Sequence, residues 1–429
     1  MRHIRIAVGL AVCVVLCRAA PASADVVAEW NALAVQCIAT ATPPARGGPP
    51  GLFDLALVQA AVHDAVQAIQ HDFDPYLATP AATGNESVAS AVAAAAHDVL
   101  VVLCPAAVAT LDAAFKPYKD GLDPGLAVGS AAAAALLPHR RPTPAVPDFT
   151  GGTGIGEWRP TPPSELPMAF LFMATTEPFT LTSPDQFRPD APPSVNSHKY
   201  VREYYEVKKL GSVQSHPAAA ACPSPASTDL ARFWSGNFAA QWNEAARNIA
   251  IDQQLSIGES ARLLALVNLA GADAAIAVWD SKRFFNYWRP ITAIREGNND
   301  GNPFTVGDPN WTPFIQSAHF PAGSQTPPYP DYVSGANGLT GAFTRILQLY
   351  FRTDHLRFEV NKGTAPSVVI CENPRTYQRI SDAAQEVVDA RILLGIHFRT
   401  ADEEARQLGR RIAFWAFTNY LRPLHHKEH

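Results

Sequence analysis

Five side chains and one backbone amide suited to binding an oxyanion follow one another in the last third of the chain. Lysine and arginine supply positive charge and N–H donors, histidine supplies a ring nitrogen that can attack or coordinate, and a Ser-Gly step supplies a helix N-terminus. Together these groups fit a tetrahedral oxyanion. In chain order they are Lys282, Arg289, Ser334, Gly335, Arg391 and His397.

The spacing of the first two cations predicts that they converge. Lys282 and Arg289 are seven residues apart, which on one continuous helix places them within about 20° of the same face. We expect that helix to run from Gly258 to Trp288, because apolar residues cover most of its circumference. Pro290 should end it, since the residue before a proline avoids the helical region.

Two further helix ends are predicted to complete the site. Ser334 is a good N-cap, so the amide of Gly335 should lie in the first turn of a helix, where free N–H groups and the helix dipole favour anions. Arg391 and His397 are six residues apart, which is about 120° around an ideal helix. Gly395 between them allows the helix to end, so that the histidine can turn toward the same pocket.

These residues carry a resemblance to a known family. Lys282-x6-Arg289-Pro290, Ser334-Gly335 and Arg391-x5-His397 resemble the three-part signature shared by vanadium-dependent haloperoxidases and type 2 phosphatidic acid phosphatases. Residues 272–282 and 395–399 are similar to the bacterial haloperoxidase branch. The resemblance implies an all-α, multi-helix bundle with long Pro-rich loops. Outside residues 258–420 it is looser.

The same resemblance implies roles for the site residues. His397 would be bonded to vanadium, and the vanadate oxygens would be held by Lys282, Arg289, Ser334, the Gly335 amide and Arg391. Phosphate is expected to be able to take the place of vanadate. In such an enzyme the vanadate acts as a Lewis acid, and hydrogen peroxide, halide and a small organic molecule are the substrates.

Two positions depart from the family pattern. The acid–base histidine expected after Ser-Gly is Ala336, which has no proton to transfer, although His319 or Tyr332 could reach into the pocket instead. The carboxylate that orients the histidine in the phosphatase pattern would lie four residues after His397, where the chain has Ala401. The missing carboxylate favours vanadate chemistry over phosphate ester hydrolysis.

Three functions therefore remain open. The first is a haloperoxidase-like enzyme that oxidises halide with hydrogen peroxide, with turnover impaired at Ala336. The second is an acid phosphatase with His397 as the nucleophile. The third is a non-catalytic protein that binds oxyanions.

Two other residues near the signature carry expectations of their own. Asp273 lies in an apolar run, where an unpaired carboxylate is costly to bury, so we expect it to pair with an arginine of the site or to cap a neighbouring loop. Trp279 lies one turn before Lys282. It is expected to be a core aromatic, with the wall of a halide pocket as the alternative.

The composition bounds the class of protein. A net charge of -5 with 17% charged residues argues against a nucleic-acid partner. Residues 1–24 have the basic start, apolar run and small-residue cleavage site of a signal peptide, so the mature chain is expected to be exported, periplasmic or secreted. No later apolar run predicts a transmembrane segment. The four remaining cysteines, Cys37, Cys104, Cys222 and Cys371, could form two disulfides or stay as buried thiols.

The chain is predicted to divide after the leader into two halves and a tail. Residues 25–225 form a helical half with a Pro-rich excursion at 138–196, residues 226–424 form the oxyanion-binding bundle, and residues 425–429 are a polar tail. A homodimer is compatible with a helical surface of this size. Predicted helices are Asp54–Gln70, Val88–Leu103, Ala106–Phe115, Leu126–Leu137, one from Ser227, Ser334–Phe351, Arg375–Leu394 and Asp402–Leu421.

Overall fold

The computed structural model describes residues 26–42, 44–146, 148–216, 222, 224–363 and 367–424, and over these it is mainly helical, as predicted. The predicted signal peptide and the polar tail lie outside the described residues. The helices of the first half are α1 Val26–Val35, α2 Gly51–Gln70, α3 Val88–Leu103, α4 Val108–Lys119, α5 Gly125–Leu136 and α6 His198–Leu210. Those of the second half are α7 Ala226–Phe233, α8 Phe238–Asp252, α9 Ile257–Phe285, α10 Pro290–Glu296, α11 Gly335–Phe351, α12 Ile380–Leu393 and α13 Arg399–Asn419.

The long helix α9 is the centre of the fold. A capping box of Ser256 and Glu259 starts it, with each side chain accepting a backbone N–H of the other residue. It packs against α2, α11 and α13. Because neighbours cover it along most of its length, its apolar residues extend over most of its circumference, as the sequence predicts.

The predicted end of α9 was wrong. The helix stops at Phe285, because Asn286 adopts the left-handed conformation (φ 49°) and its N–H caps the carbonyl of Lys282. Pro290 then begins α10 at its first position, where a proline costs no hydrogen bond, and Arg289 is the N-cap. Lys282 and Arg289 therefore lie on two different elements, and their convergence results from a turn between them.

A second correction concerns residues 375–379. They were predicted as the first turn of a helix but form strand β2 (Arg375–Arg379), which pairs antiparallel with β1 (His355–Val360). Tyr377 stacks on Phe358 across the pair, with ring centroids 5.4 Å apart. A Thr-Tyr-Gln run suits a half-buried strand, and this cross-strand contact outweighs its weak helical preference.

Residues 138–146 and 148–196 are largely irregular, and they include the end of the 3-10 helix Leu137–His139 and the 3-10 helix Leu171–Thr175. The segment contributes to the core through buried Trp158 and Met173. The hydrophobic core contains residues of both predicted halves, such as Leu57 and Leu266. The domain division at residue 225 remains a prediction.

The cysteines pair in the structure. Disulfides join Cys37 to Cys104 and Cys222 to Cys371. The first links the end of the α1 region to the end of α3. The second links the segment before α7 to the segment before β2. Of the two alternatives left open by the sequence, the structure therefore has two bridges.

Helices α2 and α9 are long and apolar enough to cross a membrane, and α3 taken together with the bent segment Pro105–Lys119 also passes this test. The apolar windows of α2 and α9 are completely buried inside the protein. Packing in the core accounts for their composition. The absence of a transmembrane segment remains a prediction.

Candidate functional site

The predicted oxyanion-binding residues all lie at helix ends that meet in the interior. Lys282 and Arg391 lie in the last turns of α9 and α12, and Arg289 and Ser334 are the N-caps of α10 and α11. His397 lies just before the N-cap of α13. Gly335 is the first residue of α11. All five side chains are buried, and Arg391 is the most exposed of them at 8%.

Contacts between these residues place them in one cluster. Nη1 of Arg289 lies 3.3 Å from Nε2 and 3.4 Å from Nδ1 of His397. The backbone N–H of Ser334 donates to the carbonyl of Ala401 at 2.9 Å, which joins the starts of α11 and α13. Gly395 has a positive φ of 76°, so α12 ends before His397 and the histidine can turn inward.

One loop segment, residues 327–331, holds the first two cations through its backbone. Lys282 Nζ donates to two of its carbonyls at 2.5 and 3.1 Å, and Arg289 donates to two others at 2.7 and 3.2 Å. Arg289 also donates to the carbonyl of Ile396 at 2.7 Å. A lysine has three N–H donors and an arginine five, so both keep donors for a further acceptor. The acceptors in the segment are Pro327, Tyr329, Pro330 and Asp331.

Asp331 is a functional candidate that the sequence analysis missed. Its Oδ1 lies 2.8 Å from Nδ1 of His397 and 3.7 Å from Nη1 of Arg289. Both of its oxygens are buried, and the backbone N–H of Phe398 donates toward the carboxyl. A carboxylate from the loop before α11 thus lies beside His397, although position 401 has none. Ala401 therefore does not disfavour a phosphatase.

Burial and charge set the protonation states of the cluster. Burial, followed by the charges of Arg289, Lys282 and Arg391, holds the pKa of His397 well below its usual value. His397 is therefore neutral at pH 7, which a metal ligand or a nucleophile requires. Burial also lowers the pKa of Lys282 well below the usual range and raises that of Asp331 to about 7, although the nearby cations act to lower it.

One donor of the cluster lacks a protein partner in the described part of the chain. Nε of Arg391 is buried and makes no hydrogen bond, while its Nη1 donates to the carbonyl of Trp234 at 3.1 Å. Burial raises the pKa of the Asp402 carboxyl, and the hydroxyl of Ser334 beside it acts to lower that pKa. Buried donors normally have partners, so the Nε of Arg391 is available to a bound acceptor. An oxyanion fits this requirement.

Ala336 lines a cavity next to the cluster. Tyr332 and His319, which could have replaced the acid–base histidine, make their contacts elsewhere. The hydroxyl of Tyr332 donates to the carbonyl of Asp190 at 2.7 Å. Nδ1 of His319 contacts Arg232, and its ring packs on Phe314. The expectation that one of them reaches into the pocket is not met in this structure.

The expected pairing of Asp273 with an arginine was wrong, and its alternative is observed. Asp273 accepts the backbone N–H groups of residues 179–181 at 2.6 to 3.2 Å, and the Thr180 hydroxyl as well. It is a cap for that loop. Trp279 is buried, and its Nε1 donates to the carbonyl of Ala169 at 2.9 Å, yet its ring also forms part of the cavity wall. Trp279 is therefore a core aromatic and also part of the wall of the cavity.

Comparison with known proteins gives the cluster a context. The family model of the VCPO second helical-bundle domain matches residues 262–426. A vanadium chloroperoxidase from Curvularia inaequalis is 32% identical over 123 residues, which are 26% of this chain and 19% of that protein. The alignment thus spans about a fifth of the relative's length.

Solved structures of similar fold cover nearly the whole chain. The first bacterial vanadium-dependent iodoperoxidase superposes with a TM-score of 0.72 at 23% identity, over 95% of this chain and 97% of that one. An apo-type bacterial vanadium-dependent chloroperoxidase gives 0.66 at 18% identity, over 85% and 91%. At these identities the likeness establishes the fold. Residues 262–426 thus match the VCPO second helical-bundle domain, and the fold of the chain is that of these bacterial vanadium-dependent haloperoxidases.

Proposed function

We propose that this protein binds vanadate in the cluster of Lys282, Arg289, Ser334, Gly335, Arg391 and His397 and oxidises halide with hydrogen peroxide. The observation that carries the proposal is the combination of three buried cations, a neutral histidine and a buried donor, Nε of Arg391, that has no partner among the described residues. Such a set is costly to bury unless an anion completes it.

The residues of the cluster would each contribute a different donor to the anion. Arg289 presents a planar fork and Lys282 a compact charge, and both are fixed in direction by the carbonyls of residues 327–331. Arg391 offers its free Nε and Ser334 its hydroxyl. Asp331 at Nδ1 of His397 favours the tautomer with its lone pair on Nε2, the nitrogen that would bind the metal. When bound, vanadate supplies Lewis-acid activation of the peroxide.

Ala336 leaves the proton transfers of this chemistry without a dedicated side chain. General acid–base help is typically worth about 10²–10⁴ in rate, so we expect slow turnover in the natural protein. Replacing Ala336 by histidine should raise bromide-dependent halogenation by about that factor. Ala336→Asn is the matched control, because asparagine can hydrogen-bond but cannot shuttle protons.

Stoichiometric titration with vanadate, followed by the halogenation assay, tests the proposal. We expect one vanadate per chain and loss of binding in Lys282→Ala and Arg391→Ala. An absence of vanadate binding would overturn the proposed site. Binding with no turnover in either the natural chain or Ala336→His would leave the third alternative, a non-catalytic oxyanion-binding protein.

The carboxylate of Asp331 beside His397 specifically favours a second candidate, a phosphomonoesterase. A histidine nucleophile profits from a carboxylate that orients its ring, and Asp331 lies at ion-pair distance from Nδ1. Hydrolysis of an aryl phosphate is the fair test, because a good leaving group hardly needs the missing acid. Activity that is inhibited by vanadate and abolished by His397→Ala would establish this candidate.

We also propose that the mature chain is exported. The two disulfides support this, because such bridges persist mainly in oxidising compartments outside the cytosol. Fractionation of cells that make the full chain would test it.

A further inference from the structure

A cavity of about 350 Å³ opens beside the oxyanion-binding cluster. Its wall combines residues from the start of α2, from α8, α9 and α11, and from the loop before α11. It reaches the cluster at Gly335 and Arg391 and passes over the methyl group of Ala336. Aromatic and aliphatic side chains form most of the wall: Leu52, Phe238, Ala275, Trp279, Tyr329 and Leu339.

The aromatic side of the cavity is fixed in place. The indole of Trp279 is held by its hydrogen bond to Ala169, and its ring packs on Tyr329 with centroids 5.1 Å apart. The ring centroid of Tyr329 in turn lies 4.7 Å from Nζ of Lys282 and 4.9 Å from the guanidinium carbon of Arg289. The same ring therefore faces the cavity and the cations, so a ligand in the cavity lies next to the cluster.

The wall of the cavity also carries a charge. Arg391 lines it, is more than nine-tenths buried, and has an Nε without a partner among the described residues. Its guanidinium carbon lies 5.6 Å from the centroid of the Phe238 ring, so the cavity offers apolar, flat surfaces next to a cation. A histidine at position 336 would project a ring into this space, whereas alanine leaves it open.

We propose that this cavity binds the aromatic ring of an organic ligand, in contact with an oxyanion held by the cluster. This deepens the proposed function by assigning the class of organic substrate, and it rests on the oxyanion site proposed above. The ring can come from two sources. It can be attached to the oxyanion itself, as in an aryl phosphate, or belong to a separate phenolic molecule beside bound vanadate.

The size of the cavity supports a single substituted ring. A dry protein cavity of about 150 Å³ is enough to bind benzene, and aromatic walls add edge and face contacts with the ring. Burial of one ring should strengthen binding by about 10- to 100-fold over a ligand that fills the cluster alone.

The first experiment uses the protein without added vanadate. Isothermal titration compares phenylphosphonate with methylphosphonate, which place the same charged head in the cluster and differ in the ring. We expect phenylphosphonate to bind about 10- to 100-fold more tightly if the ring is carried by the oxyanion. In a second arm, phenol is titrated into vanadate-loaded protein, and binding there identifies a separate phenolic ligand.

Two variants fill the cavity from its α8 and α9 walls without altering a residue of the cluster. Ala239→Phe on α8 and Ala275→Phe on α9 should remove the advantage of the ring and leave methylphosphonate affinity unchanged. Ala113→Phe, at an exposed position of α4, is the matched control and should change neither. Melting curves show whether each variant is folded. A crystal structure with phenylphosphonate gives the ring position without any variant.

The outcomes separate this inference from the proposed function. No ring advantage in either arm, a ring advantage that survives both filling variants, or a ring located outside the cavity would each overturn the inference. If vanadate fails to bind while phenylphosphonate still shows the advantage, the haloperoxidase proposal fails and the aromatic site stands.

Discussion

Asp273 and Asp331 are both fully buried carboxyls, but their surroundings are opposite. Asp273 accepts three backbone N–H groups and a hydroxyl from residues 179–181. Asp331 has a histidine at 2.8 Å, an arginine at 3.7 Å and a single backbone donor, the N–H of Phe398, beside it among the described residues. A buried polar group with all its partners stabilises the fold, whereas one left incomplete next to cations indicates a binding site.

The largest expected effect is on stability at Asp273. Asp273→Ala leaves the N–H groups of residues 179–181 buried without an acceptor, so the free energy of unfolding should fall by about 3–5 kcal/mol. Denaturant unfolding at pH 7 measures it. Asp331→Ala is the comparison, and it should cost clearly less because it takes the acceptor from one backbone N–H, that of Phe398, instead of three. An equal or larger loss at Asp331 would contradict the distinction between the two carboxyls.

The next effect is on oxyanion affinity at Asp331. Asp331→Asn keeps the shape of the side chain but removes the charge beside Nδ1 of His397, so vanadate affinity should fall by about 10- to 100-fold. Titration with vanadate measures it, and inorganic phosphate serves as a second probe. Asp273→Asn is the control, which should alter stability and leave the affinity of the folded protein unchanged. Unchanged affinity in Asp331→Asn would show that His397 is oriented without this carboxyl.

The smallest effect is on the pH dependence of stability. Burial raises the pKa of Asp331 to about 7, above its value of about 3.9 in an unfolded chain, so the folded state binds more protons between these values. The stabilisation is complete below the unfolded pKa and is lost as the pH rises through about 7.

Without added oxyanion, the natural protein should therefore lose stability relative to Asp331→Asn as the pH rises from 4 to 8. Denaturant unfolding of both proteins across that range measures the difference. Arg289, Lys282, His397 and Glu203 also act on this carboxyl and are present in both proteins, so the comparison isolates Asp331. A difference that stays constant with pH would show that Asp331 is ionised throughout.

Much of the helical frame could be predicted from the sequence. The bounds of α3 were predicted without error, and those of α2, α5 and α11 to within three residues, because their apolar patterns and caps are local. The strands at 355–360 and 375–379 were missed. Their pairing depends on contacts between distant segments, such as Tyr377 on Phe358, which short-range patterns do not contain.

In the candidate site, too, local features were predicted correctly and features that depend on distant segments were not. The order and types of its residues were readable because the three-part signature is carried by short segments whose spacing is fixed in the chain. The sequence wrongly placed Lys282 and Arg289 on one helix, since nothing nearby except Asn286 marks the turn. It also gave Asp273 an arginine partner, although the loop at 179–181 lies over 90 residues away and meets it only in the folded chain.

The sequence by itself determined which groups are candidates to bind an oxyanion, that the fold is a helical bundle, and that position 336 is an alanine. Only the tertiary structure decided that Asp331 takes the place of the carboxylate missing at 401, and that an aromatic-walled cavity opens over Ala336. The physical reason is that helix type follows from neighbouring residues, whereas charge pairing and cavity shape depend on which distant segments pack together.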